Sequence, residues 1–222
     1  MLIPISYPLN RRAPLYPGTE PLTIACTKSF EMGDAEEKSL ITFSSHAGTH
    51  IDLPRHFCPG GGSVQGLLAP EAVFEPARCI TIPITGAEPI RIYDLLPHID
   101  AIRTSRALFI RTGSGRLRES DPAAYAERHP WVHPEVPGFL RTENPALRLF
   151  GIDTISIAVP ASPEEGAEAH RGFLCGSPHI FLLEDVDLSY GRLLEEPWTL
   201  RVYPVVFDDL EAVPVVALAE FG

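Results

Sequence analysis

Proline is the residue that most limits what this chain can fold into. It supplies 23 of the 222 residues, about 10%, whereas about 5% is usual. Because proline has no backbone N–H and a fixed φ, it interrupts helices and central strands. The prolines are scattered among apolar runs and are not collected in a tail. This distribution predicts short elements joined by many rigid turns and loops.

The composition favours one sizeable core. Hydrophobic residues make up 45% of the chain, which is enough apolar material for an ordinary globular domain. No internal repeat, low-complexity tract or clear linker divides the sequence. We therefore expect a single domain over residues 1–222.

The charge balance excludes several classes of partner. The chain has 18 Lys and Arg against 29 Asp and Glu, a net charge of −11, whereas nucleic acid and anionic lipid need clustered positive charge. No apolar run approaches the about 18 residues of a membrane span. The N-terminal sequence lacks the basic start and apolar stretch of an export signal. We expect a cytoplasmic protein that binds a small molecule.

The four cysteines are expected to be reduced thiols. They lie far apart in the sequence, and no pair has CxxC spacing. The spacing therefore indicates neither a disulfide framework nor a thiolate zinc site. Cys58, which follows a histidine-rich segment, is interpreted as a small buried apolar residue and not as a nucleophile.

Short β-like runs dominate the secondary-structure pattern, and glycine, proline or charged residues bound them. The predicted strands are 22–27, 40–46, 77–84, 107–113, 148–157, 179–186, 199–207 and 213–221. A helix is predicted from Ser162, with Pro163 at its first position and Glu165 completing a capping box. A shorter helix is predicted over 121–128. The fold class is therefore mixed α/β and β-rich, with a few helices packed on the sheets.

Residues 44–57 are the most informative segment for chemistry. They contain three of the chain's eight histidines and an aspartate within 11 residues. If the segment is extended, His46, His50, Asp52 and His56 share parity and project to one face, and the intervening glycine and proline curl that row. Imidazoles with a carboxylate are the usual ligands of zinc or a similar divalent ion. The alternative is a polar strand face whose histidines bond to backbone.

The same residues match every fixed position of an HxGTHxDxPxH signature. The matching residues are His46, Gly48, Thr49, His50, Asp52, Pro54 and His56. The chain thus resembles the cyclase family of metal-dependent hydrolases, which includes bacterial kynurenine formamidases (arylformamidases) and isatin hydrolases. Segments 15–18, 111–113, 151–154 and 183–188 also resemble that family. The resemblance implies a β-rich fold like the swivelling β/β/α domain, and a homodimer or homotetramer.

The resemblance also implies a ligand set for two divalent metal ions, with Zn²⁺ favoured and Mn²⁺ as the alternative. It implies the metal ligands His46, His50, Asp52, His170 and Glu184, with the two carboxylates bridging. Asp185 is the alternative to Glu184 as the distal bridging carboxylate. His56 is implied to be a proton shuttle and not a ligand.

Two bridged metals can acidify a water molecule and polarise a carbonyl group, and a nearby imidazole can protonate a departing nitrogen. The leading interpretation is therefore an amidohydrolase of an aryl formamide such as N-formylkynurenine. The alternatives are ring opening of a cyclic amide or lactone, a lyase or cyclase reaction, and a non-catalytic metal-binding scaffold. Tyr7, Tyr16 and Phe57 are either an aromatic wall for an aryl substrate or ordinary core residues.

Overall fold

The computed structural model describes residues 1–68, 70 and 72–222. Its strands are β1 (Leu2–Pro4), β2 (Thr23–Lys28), β3 (Lys38–Thr42), β4 (His50–Asp52), β5 (Val73–Thr81), β6 (Pro89–Ile90), β7 (Ala107–Arg111), β8 (Trp131–Val132), β9 (Leu149–Ile152), β10 (Phe181–Glu184), β11 (Trp198–Pro204) and β12 (Ala212–Glu220). Its α-helices are α1 (Ile92–Leu95), α2 (Ile99–Thr104), α3 (Leu117–Ser120), α4 (Pro122–Glu127), α5 (Glu135–Glu143) and α6 (Pro163–Leu174). The mixed α/β class is confirmed, and each predicted strand segment contains part of an observed strand.

An eight-stranded sheet that closes on itself forms the centre of the fold. Its strand order is β1-β12-β11-β5-β7-β9-β10-β4, and β4 also pairs with β12. The strands β5, β7, β9 and β10 are parallel to one another, whereas β4 is antiparallel to both of its neighbours. The beginning of β12 bonds to β4 and its remainder bonds to β11. The pairing of β4 with β12 therefore closes the sheet, as in a barrel, and β1 lies outside that closure on the edge of β12.

The central strands are apolar on both faces because each face packs against a different core. On β7, Phe109 joins the cluster inside the barrel, whereas Leu108 and Ile110 join the cluster that contains the α-helical side chains. Gly151 on β9 allows the Phe109 ring to lie close, since a Cβ at that position would overlap the ring. This close packing gives the strands that carry the site a rigid support.

The two predicted helices are confirmed as α4 and α6, but the capping box predicted for α6 is absent. α6 has Pro163 at its first position, but the Ser162 side chain makes no capping hydrogen bond. The Ser162 carbonyl instead accepts from the Gly166 N–H at 3.0 Å, so the predicted capping box is wrong. In α4, Asp121 caps the helix by accepting from the Ala124 N–H at 3.0 Å.

Helix α5 lies outside the sequence predictions and has prolines at and near its start. The structure shows why they are tolerated. Pro134 precedes the helix and Pro137 lies in its first turn, where a backbone N–H has no partner within the helix. None of the helices in the described part of the chain is long and apolar enough to cross a membrane.

The cysteine prediction is wrong. Cys58 and Cys175 form a disulfide, with their Cα atoms 5.5 Å apart although 117 positions separate them in the sequence. Cys26 and Cys79 are free. The pair forms because the turn after β4 packs against the C-terminal end of α6, and sequence spacing does not reveal that contact. Cys58 is therefore one half of a crosslink and not a small buried apolar residue.

We expect Cys58→Ser to lower the free energy of unfolding by about 3–5 kcal/mol, because the crosslink closes a loop of more than a hundred residues. Urea unfolding would measure the change, with the exposed free Cys26→Ser as the matched control. Turnover should stay within a few-fold of the wild type, because Cys58 is not the nucleophile. Unchanged unfolding of Cys58→Ser, or four reactive thiols in the unreduced, unfolded wild type, would contradict the prediction.

Candidate metal centre

Strand β4 carries the inner half of the site. It lies between β10 and β12, and its register places His50 opposite both Glu184 and Pro214. Residues directly opposite on paired strands project to the same face, so His50 and Glu184 become neighbours. Asp52 lies two residues further along β4 and therefore shares that face. Helix α6 adds His170, which is buried like the other three.

Turns, and not an extended strand, bring the other two predicted histidines to the site. The strand is limited to His50–Asp52. His46 lies in a turn before it, which uses a positive φ of 65° at Gly48, and His56 ends the 3-10 turn Pro54–His56. The expectation of one extended row is therefore wrong for His46 and His56. Proline starts the 3-10 turn because its fixed φ suits a first helical position.

Two carboxylates form the centre of the cluster. The His50 Nε2 atom lies 3.5 Å from Asp52 Oδ1 and 3.4 Å from Glu184 Oε2. On the other side, His170 Nε2 lies 3.5 Å from Asp52 Oδ2 and 3.6 Å from Glu184 Oε1. Each buried imidazole thus faces both carboxylates.

The two remaining histidines form the rim. His46 Nδ1 is 3.2 Å from Asp52 Oδ1, and His56 Nε2 is 4.0 Å from Asp52 Oδ2. Both rim side chains are 25% exposed, whereas that of His50 is 2% exposed. The rim histidines are therefore the ones that a molecule entering from solvent meets.

The donor atoms fit divalent metal ions. Among the described residues, His50 Nε2 and both Asp52 carboxylate oxygens are buried without a hydrogen-bond partner, which is costly unless another group binds them. The Nδ1 atoms of His50 and His170 each contact a backbone carbonyl, at 2.8 and 2.7 Å. That contact fixes the ring and directs Nε2 at the site, as is usual for metal-binding histidines.

The close contacts shift the pKa values of the cluster. Burial opposes protonation of His50, but its close contact with Glu184 and the charge of Asp52 raise the pKa to about 9. Burial likewise opposes protonation of His170, and its close contacts with the Asp52 and Glu184 carboxylates raise its pKa to about 10. Burial works against ionisation of Glu184, yet these histidines lower its pKa to about 2. Without metal, two imidazolium groups therefore balance the two carboxylates near neutral pH.

Glu184, and not Asp185, faces the cluster. Asp185 has a φ of 53°, the only positive value for a non-glycine residue in the described part of the chain, and it turns to the opposite side. There Arg118 donates to both of its carboxylate oxygens, at 2.8 and 2.9 Å, and the Tyr125 hydroxyl donates at 2.6 Å. The direction of the chain at the end of β10 therefore favours Glu184 over Asp185 as the carboxylate of the cluster.

Two hydrogen-bond donors to Glu184 are not among the residues predicted from the sequence. The Ile157 N–H donates to Glu184 Oε1 at 2.7 Å, and the Ser156 hydroxyl donates to the same atom at 3.2 Å. Both lie in the loop after β9, and no sequence pattern marks a lone serine and a backbone N–H as partners of a distant carboxylate.

A cavity of about 310 Å³ opens above the cluster and includes all six predicted site residues in its lining. Tyr16 and Phe57 line its walls, and the Phe57 ring stacks on His170 with centroids 4.7 Å apart. Tyr7 lies outside this cavity, where the guanidinium of Arg118 covers its ring. The aromatic wall therefore contains two of the three residues considered.

Comparison with known proteins gives the family. The family model described as "Putative cyclase" matches residues 3–159, which is more than half of the chain. The chain therefore belongs to the cyclase family. Kynurenine formamidase of Bacillus cereus strain ATCC 14579 is 30% identical over 217 residues, covering 97% of this chain and 95% of that protein. Kynurenine formamidase of Bacillus mycoides strain KBAB4 is 29% identical over 218 residues, covering 97% and 95%.

Solved structures share the fold. Isatin hydrolase A from Labrenzia aggregata, bound to benzyl benzoate, superposes with a TM-score of 0.80 at 19% identity, over 99% of this chain and 93% of that one. A predicted metal-dependent hydrolase from Bacillus stearothermophilus gives a TM-score of 0.76 at 19% identity, over 99% and 97%. The family and the kynurenine formamidase relatives identify the chain as an enzyme of the hydrolase class.

Zn²⁺ added to the metal-free protein near neutral pH should release about two protons, because the metal replaces those on His50 and His170. Apparent Zn²⁺ affinity should rise with pH from 6.5 as protons leave His50 and His170, less steeply above about 9, and level off only above about 10. A pH indicator in weak buffer measures the release. Tight Zn²⁺ binding with no proton release would contradict the prediction.

Proposed function

We propose that the chain is a metal-dependent amidohydrolase that cleaves the C–N bond of a small aryl formamide, with N-formylkynurenine as the leading candidate. The observation that carries the proposal is the convergence of four histidines and two carboxylates in the lining of one partly aromatic cavity. The relatives at 29–30% identity that are named kynurenine formamidase support the choice of substrate.

We assign five residues as ligands of two divalent metal ions. These are His46, His50, Asp52, His170 and Glu184. Metal ions held there would polarise the substrate carbonyl and lower the pKa of a water molecule. The two carboxylates lie where each can bridge, since each faces both buried imidazoles. Zn²⁺ is the favoured ion because imidazole suits it, and Mn²⁺ is the alternative that the carboxylates favour.

We assign His56 as the proton carrier. Burial lowers its pKa, and the neighbouring His46 lowers it further against the opposing charge of Asp52. A neutral imidazole at the rim can accept a proton and then donate it to the departing nitrogen. His46, Asp52 and His56 also place ligand atoms within 4.8 Å of one another, so the competing role for His56 is that of a ligand.

The cavity walls support an aryl substrate. Tyr16 and Phe57 offer flat apolar surfaces, and aromatic pairs contribute about 0.5–1.5 kcal/mol beyond the area they bury. The second candidate function is ring opening of a cyclic amide or lactone, which the structural similarity to isatin hydrolase A supports. A non-catalytic metal scaffold is disfavoured, because it needs no half-buried imidazole such as His56 at the cavity rim.

We propose that the protein assembles as a homodimer or homotetramer. The β2–β3 hairpin lies outside the closed sheet and exposes Ile24, Leu40 and Ile41, with 37%, 60% and 53% of their surface accessible. Apolar side chains collected on one projecting hairpin are typical of a surface covered by another copy.

The cytoplasmic location stays a prediction. The Cys58–Cys175 disulfide bears against it, because disulfides are rare where glutathione and thioredoxin keep thiols reduced. Alkylating the thiols in intact cells before lysis would show whether the pair is oxidised there.

His56→Ala should separate catalysis from metal binding. We expect the hydrolysis rate to fall by about 10²–10⁴-fold, the usual share of general acid–base catalysis, while metal content stays nearly intact. Asp52→Asn is the comparator and should lose metal and activity together, because it removes a central carboxylate charge. Elemental analysis and initial rates on the same samples measure both. Loss of metal from His56→Ala in proportion to its activity would identify His56 as a ligand instead.

Phe57→Ala should raise KM about 2- to 12-fold for N-formylkynurenine, the equivalent of about 0.5–1.5 kcal/mol of lost aromatic packing, and leave KM for an aliphatic formamide within about 2-fold. Steady-state kinetics with both amides, isatin and a small lactone would measure this. Phe30→Ala is the control, because that exposed phenylalanine lies outside the cavity lining. Faster turnover of isatin or the lactone by the wild type would favour the ring-opening alternative.

A further inference from the structure

The three histidines assigned as metal ligands differ in the partner of the ring nitrogen that points away from the carboxylates. In His50 and His170, Nδ1 contacts a backbone carbonyl, so Nε2 faces the carboxylates. His46 is turned the other way, with Nδ1 facing Asp52 Oδ1 at 3.2 Å. Its Nε2 has a carboxylate as its neighbour, Glu211 Oε1 at 3.5 Å.

Glu211 is held in place from both sides of the metal-binding segment. The Ser45 hydroxyl donates to Glu211 Oε1 at 2.6 Å, and Ser45 directly precedes His46. The Glu211 carbonyl accepts from the Leu53 N–H at 2.9 Å, and Leu53 directly follows Asp52. A single residue before β12 thus bonds to both ends of the segment that carries the ligands.

The neighbouring residues anchor the same loop. Gln65 donates to Asp208 at 2.6 Å, and Arg55 donates to Asp209 at 3.2 Å. These two contacts are exposed and do not involve a site histidine. Glu211 differs from both aspartates because its side chain, 36% exposed, reaches His46.

We propose that Glu211 is a positioning residue for His46: it accepts the Nε2–H of the ring, fixes the ring orientation and increases its strength as a metal ligand. This inference rests on the ligand role proposed above for His46. A carboxylate behind a metal-binding histidine typically accounts for 10–100-fold in metal affinity. Glu211 is absent from both groups of converging ligand atoms in the described chain, so it acts through His46 and not on the metal directly.

The test is Zn²⁺ affinity of the metal-free protein, measured by competition with a chromophoric chelator. Glu211→Ala should weaken the affected site by about 10–100-fold. Glu211→Gln should lie between it and the wild type, because an amide oxygen still accepts from the ring but lacks the charge. Asp209→Asn is the matched control, since it removes one negative charge from the same loop, and it should stay within about 2-fold.

Two further measurements separate positioning from other roles. At saturating Zn²⁺ the Glu211→Ala enzyme should recover most of its kcat with KM unchanged, because Glu211 touches neither the substrate nor the reacting atoms. In the double variant with His46→Ala, removing Glu211 should cause no additional loss of affinity, because its effect passes through that ring. Thermal unfolding would identify a variant that fails to fold, and Glu211→Gln then gives the answer.

The outcomes distinguish this inference from the proposed function. If His46→Ala weakens Zn²⁺ binding but Glu211→Ala matches the wild type, or matches Asp209→Asn, the positioning role is wrong and the metal site stands. If His46→Ala leaves Zn²⁺ affinity unchanged, the ligand role of His46 is wrong and the inference is overturned with it.

Discussion

Two ionised carboxylates lie next to each other in the interior of this protein, and the rest of the site is arranged around them. Asp52 and Glu184 are 0% and 2% exposed, and burying like charges together is costly unless cations compensate them. The imidazoles of His50 and His170 supply that compensation from opposite sides, which is why their pKa values rise to about 9 and 10. The same imidazole and carboxylate donors suit divalent metal ions.

The closure of the sheet is what brings the charges together. β4 has only three residues, yet it bonds to β10 on one side and to β12 on the other. Because both edges of the strand are paired, the side chains of His50 and Asp52 stay buried. At the end of β10 the backbone direction changes after Glu184, so the side chain of Asp185 points away from the cluster. The ion pair of Asp185 with Arg118 stabilises this change of direction and satisfies the buried Asp185 carboxylate on the side away from the cluster.

The rim of the site is built from turns and is held differently. His46 and His56 are each reached through a turn and are partly exposed. The turn that carries His56 is crosslinked to the end of α6 by Cys58 and Cys175, and the Phe57 ring stacks on His170. The candidate site therefore combines a rigid buried centre with a tethered rim at its entrance.

The sequence by itself determined the fold class and the strand segments, and it supplied the candidate site residues. These properties depend on local composition and on a compact motif, so His46, His50, Asp52 and His56 could be singled out within one short segment, and a resemblance added His170 and Glu184. Only the tertiary structure decided between Glu184 and Asp185, joined Cys58 to Cys175, and placed Ser156 and Glu211 beside the site. Those contacts join residues between 28 and 166 positions apart. The closed sheet brings these residues together, because strand pairing and helix packing join segments that are far apart in the sequence. No local sequence pattern records such contacts.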